Sequence, residues 1–253
     1  MNHKLAVQLY TLREECKADF PGVLRELSKM GWAGVQFAGY NDYDPKELAA
    51  VLQETGLKTA GMHVGYQRFV DELDQLVADA KFFGTRDLIC PSIPADLRNE
   101  EGYREVRRVL NEAAARVQQE GIRISYHNHA FEFETNVGGE TALAYLLQPE
   151  TDNLVLAELD VYWVKKGGND PVSYIAPYAN RMPIIHLKDM TNDEEAAFAE
   201  IGTGSIDFKP ILTWGEANGI EWYVVEQDRC NRAPMDCVQT SFTNLTAMIR
   251  ELK

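Results

Sequence analysis

Cysteine is sparse in this chain and never paired. Cys16, Cys90, Cys230 and Cys237 are scattered, with no C-x-x-C spacing among them. That pattern suits neither a secreted disulfide framework nor a cysteine-rich zinc site, and reduced thiols in a cytoplasmic protein are expected. Long apolar runs are missing too. No stretch approaches the ~18 residues of a membrane span. Met1 leads directly into the strand-like run Leu5–Tyr10, without the apolar core and cleavage site of a signal peptide. Basic residues are outnumbered: 25 Lys and Arg against 39 Asp and Glu give a formal net charge of −14. An acidic surface repels phosphate backbones and anionic lipid, so nucleic acid and membrane are not expected partners; beyond that, the charge indicates solubility. No linker, charge block or low-complexity tract divides the chain, and no residue-level repeat recurs at a fixed period.

What the chain does have is alternation. Its 253 residues are 45% apolar, enough to fill one large core. Strand-like runs are expected at Leu5–Tyr10, Gly34–Ala38, Leu57–His63, Asp87–Cys90, Ile122–His127, Leu154–Leu159, Ile184–Lys188 and Glu221–Glu226. Helical periodicity fills the intervals. One helix is expected to start near Phe20-Pro21 and stop at Gly31, one to be capped by Asp44-Pro45, and one to run from Phe69 to Phe83 before Gly84. The clearest has Val106, Val109, Leu110, Ala113, Ala114 and Val117 on one face. Shorter helices follow near Thr141–Leu147 and Pro171–Tyr178. Thr191–Gly204 is the longest irregular stretch, and two more helices, Phe208–Asn218 and a closing one through Val238 to Ile249, end the chain. Strict alternation calls for a parallel sheet with helical crossovers. A doubly wound open sheet shares this local pattern, but eight units in this length favour a single (β/α)8 TIM barrel over residues 1–253, a fold that takes ~250 residues.

The expected strands end on chemistry. Leu156-Ala-Glu-Leu-Asp-Val-Tyr-Trp163 ends on Asp160, Pro183-Ile-Ile-His-Leu-Lys-Asp189 on His186, and Trp222-Tyr-Val-Val-Glu-Gln-Asp228 on Glu226. Ile122-Arg-Ile-Ser-Tyr-His-Asn-His129 ends on two histidines, with Glu132 just beyond. Alternate strand residues share a face, so Glu158 lies below Asp160, and His186 pairs with Lys188, Glu226 with Asp228, and His127 with His129. A single strand-end Asp is ordinarily a turn residue or cap. Asp, His and Glu at matching ends of neighbouring strands form the pattern of a divalent metal site at the catalytic rim of a barrel.

The segments Glu158-Leu-Asp-Val-Tyr-Trp163, Ile185-His-Leu-Lys-Asp189, Glu200-Ile-Gly-Thr-Gly204 and Val225-Glu-Gln-Asp228 resemble, in order and spacing, the xylose isomerase-like TIM-barrel superfamily. They are most similar to its bacterial members described as sugar phosphate isomerase/epimerase. The resemblance covers nearly the whole chain. It implies a (β/α)8 barrel with one divalent metal ion, and places Asp160, His186 and Glu226 at metal-ligand positions. Many members carry Glu at the end of strand five, where this chain has His127. Either His127 replaces that ligand or Glu132 reaches back to the metal; Glu132 is the expected fourth ligand, since hard ions favour oxygen donors. Trp163 stands where relatives often have His, which argues against the trinuclear zinc site of endonuclease IV relatives.

An oxygen-rich site of this kind suits Mn, Mg, Co or Zn. Such an ion polarises a substrate carbonyl and stabilises an enediolate. Glu226, His129, His127 and Lys188 are the expected acid, base and polarising groups, and Gln8, Gln36, His63, Trp163 and Asp228 the expected contacts to a small carbohydrate. Gly202-Thr-Gly204 resembles a loop offering backbone N–H groups to an anion, a weak phosphate signature. The leading reading is an isomerase or epimerase of a sugar, keto-sugar or sugar phosphate. One alternative is a lyase or dehydratase of a keto-sugar, keto-inositol or 3-keto-glycoside, which the His-Asn-His run favours because imidazole suits protonation of a leaving group. Another is a barrel that binds sugar without catalysis. The sequence leaves open a homo-oligomer, the substrate and the native metal.

Overall fold

The apolar runs become strands of one parallel sheet that closes on itself. The computed structural model describes residues 1–252. Its eight parallel strands are β1 Leu5–Gln8, β2 Gly34–Phe37, β3 Lys58–His63, β4 Asp87–Cys90, β5 Arg123–His127, β6 Leu156–Glu158, β7 Ile184–Leu187 and β8 Trp222–Val225. They lie in the order β6-β5-β4-β3-β2-β1-β8-β7. An isolated parallel bridge between Asp160 and His186 joins β6 to β7 and closes the ring. The expected barrel is therefore observed. Among the described residues, no helix is long and apolar enough to cross a membrane.

The helices follow the expected order, with differences that have local causes. The first spans Arg13–Met30 but breaks at Asp19 (φ −156°, ψ 78°). Pro21 cannot donate to the turn before it, and Asp19 Oδ1 instead accepts from Gly22 N at 2.9 Å, capping a second segment near the expected start. The expected Phe69–Phe83 helix is two, Tyr66–Asp71 and Leu73–Phe82, broken at Glu72. The stretch Thr191–Gly204 is partly ordered, because Phe198–Ala199 pairs antiparallel with Asp189–Met190. A short helix, Val161–Lys166, follows Asp160 directly and was not expected. Glu100–Val117 is the clearest helix, with Asn99 Oδ1 accepting from Gly102 N and two glutamates in its first turn.

The barrel interior is layered. At its N-terminal end Arg123 donates to Asp87 and to Glu221, and Arg86 donates to Glu221 as well, so charged side chains from β4, β5 and the start of β8 meet across the floor. Above them Ala6, Ala60, Ile89, Ile184 and Val224 form a small apolar plug. Above the plug the inward side chains include Gln8, Gln36, His63, His127, Glu158, His186 and Glu226, all polar. A bulge in β3 contributes to this arrangement. Val35 pairs with Thr59 but Phe37 with Met62, so an extra residue is inserted at Ala60-Gly61. Without it Ala60 and His63 would face opposite sides; with it both face inward. Gly61 makes the bulge feasible, with φ at +118° and space so tight that a Cβ would lie 2.7 Å from Ile89 Cδ1.

The floor carries a testable charge dependence. Burial opposes ionisation of Glu221, and hydrogen bonds from Arg123 and Arg86 outweigh it, lowering its pKa from an ordinary 4.5 to about 2. A carboxyl depressed on folding stabilises the native state above its unfolded pKa and loses that contribution as pH falls toward its folded one. Glu221→Gln should therefore lower the urea midpoint at pH 7, with the gap to wild type narrowing by pH 3. An equal gap at both pH values would contradict the assignment.

Candidate metal centre and active site

Each functional side chain reaches the barrel mouth by its place on a strand end. Asp160 follows β6 and caps the short helix after it: Oδ1 accepts from Tyr162 N at 2.9 Å and Trp163 N at 3.2 Å. Its other oxygen, Oδ2, is buried and faces the interior, 3.0 Å from the Lys188 ammonium. One carboxylate thus serves as both helix cap and inward-facing donor atom. His186 on β7 points inward with Nδ1 3.2 Å from Glu226 Oε2. His127 at the end of β5 completes a group. One ligand-type atom from each of His127, Asp160, His186 and Glu226 lies within 4.8 Å of all the others.

Lys188 sits among these carboxylates. Fully buried, its ammonium lies 3.0 Å from Asp160, 2.9 Å from Glu226 and 2.7 Å from Asp228. Burial opposes that charge, but Asp160, Glu226 and Asp228 outweigh it and hold the amine protonated well above the usual lysine range. Burial raises Asp160 to about 6, against the pull of Lys188 and His186. For Glu226 burial loses to Lys188 and His186, and the carboxylate stays ionised well below the ordinary range. His129 is lowered to about 4, first by burial and then by Lys188, so its imidazole is neutral near pH 7.

The mouth opens into a cavity of about 330 Å³ lined by Tyr10, Ala38, His63, Pro91, Ser92, His127, His129, Glu226 and Asp228. A larger surface groove, about 520 Å³, lies along Asp96–Arg108 and is lined mainly by surface charges. Only the first cavity opens onto convergent buried donors.

The structure brings Asp160, His186 and Glu226 together as expected and does not bring Glu132 to them. Glu132 lies in a 3-10 turn, Phe131–Phe133, that directs its carboxylate back beneath the strand. There Oε1 accepts from Tyr126 Oη and Oε2 from His129 N, both at 2.8 Å. Burial pushes this carboxyl up to about 7 against those two hydrogen bonds. His127 stands in the group instead. Gln8 and Gln36, expected at the substrate, are fully buried below the cavity and hydrogen-bonded to one another at 2.6 Å. His63 and Asp228 do line the cavity. Trp163 lies beside it, 5.3 Å from His129 and 5.7 Å from Phe198 between ring centroids.

The Gly202–Gly204 loop is not a free anion site. Gly202 N, Gly204 N and Ile206 N all donate to the buried carboxylate of Asp189, at 2.9, 3.0 and 3.1 Å. Tyr10, Ala38, Pro91 and Ser92 line the cavity and were missed in the sequence because nothing in their spacing marks them. Glu158 had a signal, its two-residue offset from Asp160, and it proves central: its carboxylate meets His63, His127 and His186 at 2.6, 3.4 and 3.1 Å.

The donor set suits a divalent cation. Two carboxylates and two imidazoles converge, and the carboxylate oxygens already attract a cation, the Lys188 ammonium at 3.0 Å from Asp160 Oδ2 and 2.9 Å from Glu226 Oε2. Nitrogen and oxygen donors of this kind suit Zn, Co or Mn.

Comparison with known proteins agrees with the fold. The chain is 26% identical over 249 residues to an inosose dehydratase of Geobacillus kaustophilus, covering 82% of this chain and 79% of that enzyme. It is 28% identical over 195 residues to an inosose dehydratase of Clostridium beijerinckii, covering 70% and 60%. Among solved structures, a sugar phosphate isomerase/epimerase from Parabacteroides distasonis superposes with a TM-score of 0.79 at 25% identity, over 98% of this chain and 94% of that one. The IOLI protein, solved with a bound zinc atom, shares the fold at 15% identity and a TM-score of 0.76, over 99% of each chain. Residues 24–240 match the xylose isomerase-like TIM barrel family, and the chain belongs to it.

Proposed function

We propose that this protein is a divalent-metal-dependent lyase that removes water from a keto-inositol or related keto-sugar. The observation that carries this is the pairing of an inosose dehydratase relative, matched over 82% of the chain, with a mouth that sets a neutral histidine beside a group of metal-type donors. The sequence alone put isomerisation first; the relatives favour its lyase alternative. Isomerisation or epimerisation is the second reading, favoured by the likeness to the Parabacteroides protein.

Asp160, His186, Glu226 and His127 would hold the ion, with His127 in the place expected for Glu132. The ion supplies Lewis acidity at a substrate carbonyl and an adjacent hydroxyl. The chain's own groups then move the proton. Glu226 is ion-paired to Lys188 at 2.9 Å and engaged with the donor group, so we assign proton transfer to His129, whose ring lines the open cavity. Its neutral imidazole takes the proton α to the carbonyl and returns it to the β-hydroxyl, which leaves as water while the C–O electron pair departs with it; the α-carbon's electrons form the new double bond. Lys188 stays charged and offsets the anionic character that develops at the carbonyl oxygen. Trp163 and Phe198 present apolar rings to the C–H face of the substrate ring.

Two measurements test this reading. His127→Ala should lose bound metal, while Glu132→Gln should keep it or lose at most ~10–100-fold in affinity, as an outer hydrogen-bonding group would. The reverse pattern would restore Glu132 as the fourth ligand. For the reaction, an inosose followed by NMR in D₂O should lose water, and His129→Ala should keep its metal but turn over ~10²–10⁴-fold more slowly. Deuterium exchange at the α-carbon with the formula otherwise unchanged would instead establish the isomerase.

A further inference from the structure

Gln8, Gln36 and Glu158 form a hydrogen-bonded chain beneath the donor group. All three are fully buried, and each link is 2.6 Å or a little longer. Buried amides are costly unless satisfied, and here the direction of every bond can be deduced. At one end Tyr10 N, which can only donate, gives its hydrogen to Gln8 Oε1 at 3.1 Å. That orients the Gln8 amide, so Gln8 Nε2 donates to Gln36 Oε1 at 2.6 Å. With its oxygen accepting from Gln8, Gln36 has its Nε2 free to donate, and it does so to Glu158 Oε2 at 2.6 Å.

The consequence falls on His186. Its Nε2 lies 2.7 Å from Gln36 Oε1 and 3.1 Å from Glu158 Oε1, both acceptors. A flipped ring would set carbon against these oxygens and against Glu226. Nε2 must therefore carry a hydrogen, and Nδ1 is the nitrogen left facing Glu226 Oε2 at 3.2 Å.

We infer that Gln8, Gln36 and Glu158 are positioning residues that commit Nε2 of His186 to hydrogen-bond donation and so assign Nδ1 as the only nitrogen available to a metal ion. This replaces the substrate-binding role expected for Gln8 and Gln36, and it rests on the metal-dependent reading above. It follows the general rule that a ligating histidine is oriented by what its other nitrogen donates to.

Zinc-loaded full-length protein tests this through two-bond ¹H–¹⁵N spectra of its histidines and through zinc affinity measured by chelator competition. In wild type the His186 Nδ1 signal should carry the zinc shift, and Nε2 should carry a proton displaced downfield by its acceptors. Gln36→Met should weaken zinc binding ~10–100-fold and move that proton upfield. Gln8→Met, one link further away, should shift the same proton in the same direction by less, with a smaller loss of affinity, and decides the matter if Gln36→Met does not fold. Zinc bound through Nε2, or wild-type affinity with an unmoved proton in the folded variants, would overturn the inference while leaving the metal site intact. A wild-type protein that takes up no zinc would refute the metal reading and the positioning role together.

Discussion

The barrel mouth depends on the balance of buried charge. Glu158, Asp160 and Glu226 lie in or beside the interior with almost no exposure, and Asp228 stands at their rim. An ion transferred to such surroundings loses several kcal/mol of hydration unless it is paired. Lys188 and His186 supply the pairing. The ammonium faces Asp160, Glu226 and Asp228, while the imidazole lies between Glu158 and Glu226. Removing one partner from a buried pair typically costs ~3–5 kcal/mol, because the other charge is stranded. That is a large share of the ~5–15 kcal/mol that holds a domain folded. The site is therefore part of what stabilises the upper barrel, and its residues are constrained by packing and charge before any substrate is considered.

The same balance explains what the sequence made legible. Strand-end residues two apart share a face, so the pairings of Asp160 with Glu158, His186 with Lys188 and Glu226 with Asp228 could be read from alternation alone. Alternation fails where the backbone departs from a regular strand. The β3 bulge at Ala60-Gly61 changes which residues face inward, and only the pairing register reveals it. The Phe131–Phe133 turn fails in the same way. The chain leaves the strand after His127, and the direction of Glu132 is set by Tyr126 Oη and His129 N rather than by period. Gln8 and Gln36 were expected at the mouth because they stand at strand ends, but depth along the axis was not legible. Their distance from the rim depends on the stagger of β1 and β2 against their neighbours, which a pattern of apolar and polar residues does not encode.

Hydrogen-bond direction adds a constraint that distance alone does not. Carboxylates accept, backbone amides donate, and side-chain amides do both at opposite ends. A chain running from Tyr10 N to Glu158 through two glutamines therefore has one consistent orientation. Four strands, β1, β2, β6 and β7, are tied by it at one level of the barrel. The network fixes which way each amide faces, because a misdirected amide would oppose like atoms in a buried setting.

The seam of the barrel makes the site mechanically important as well. Seven of the eight neighbouring strand pairs are joined by ladders. β6 and β7 are joined only by the Asp160–His186 bridge, with His186 N donating to Leu159 O at 2.9 Å and Ala157 N to Arg181 O. β6 is also the shortest barrel strand, three residues. The place where backbone hydrogen bonding is thinnest is thus the place where Asp160 and His186 converge on a shared charge centre. Side-chain electrostatics take over there from the backbone ladder. A cation shared by those two residues would fasten the seam from the mouth side, and ligand binding to the native state adds stability in proportion to the logarithm of its saturation. Closure of the barrel and assembly of the reactive centre therefore draw on the same pair of side chains.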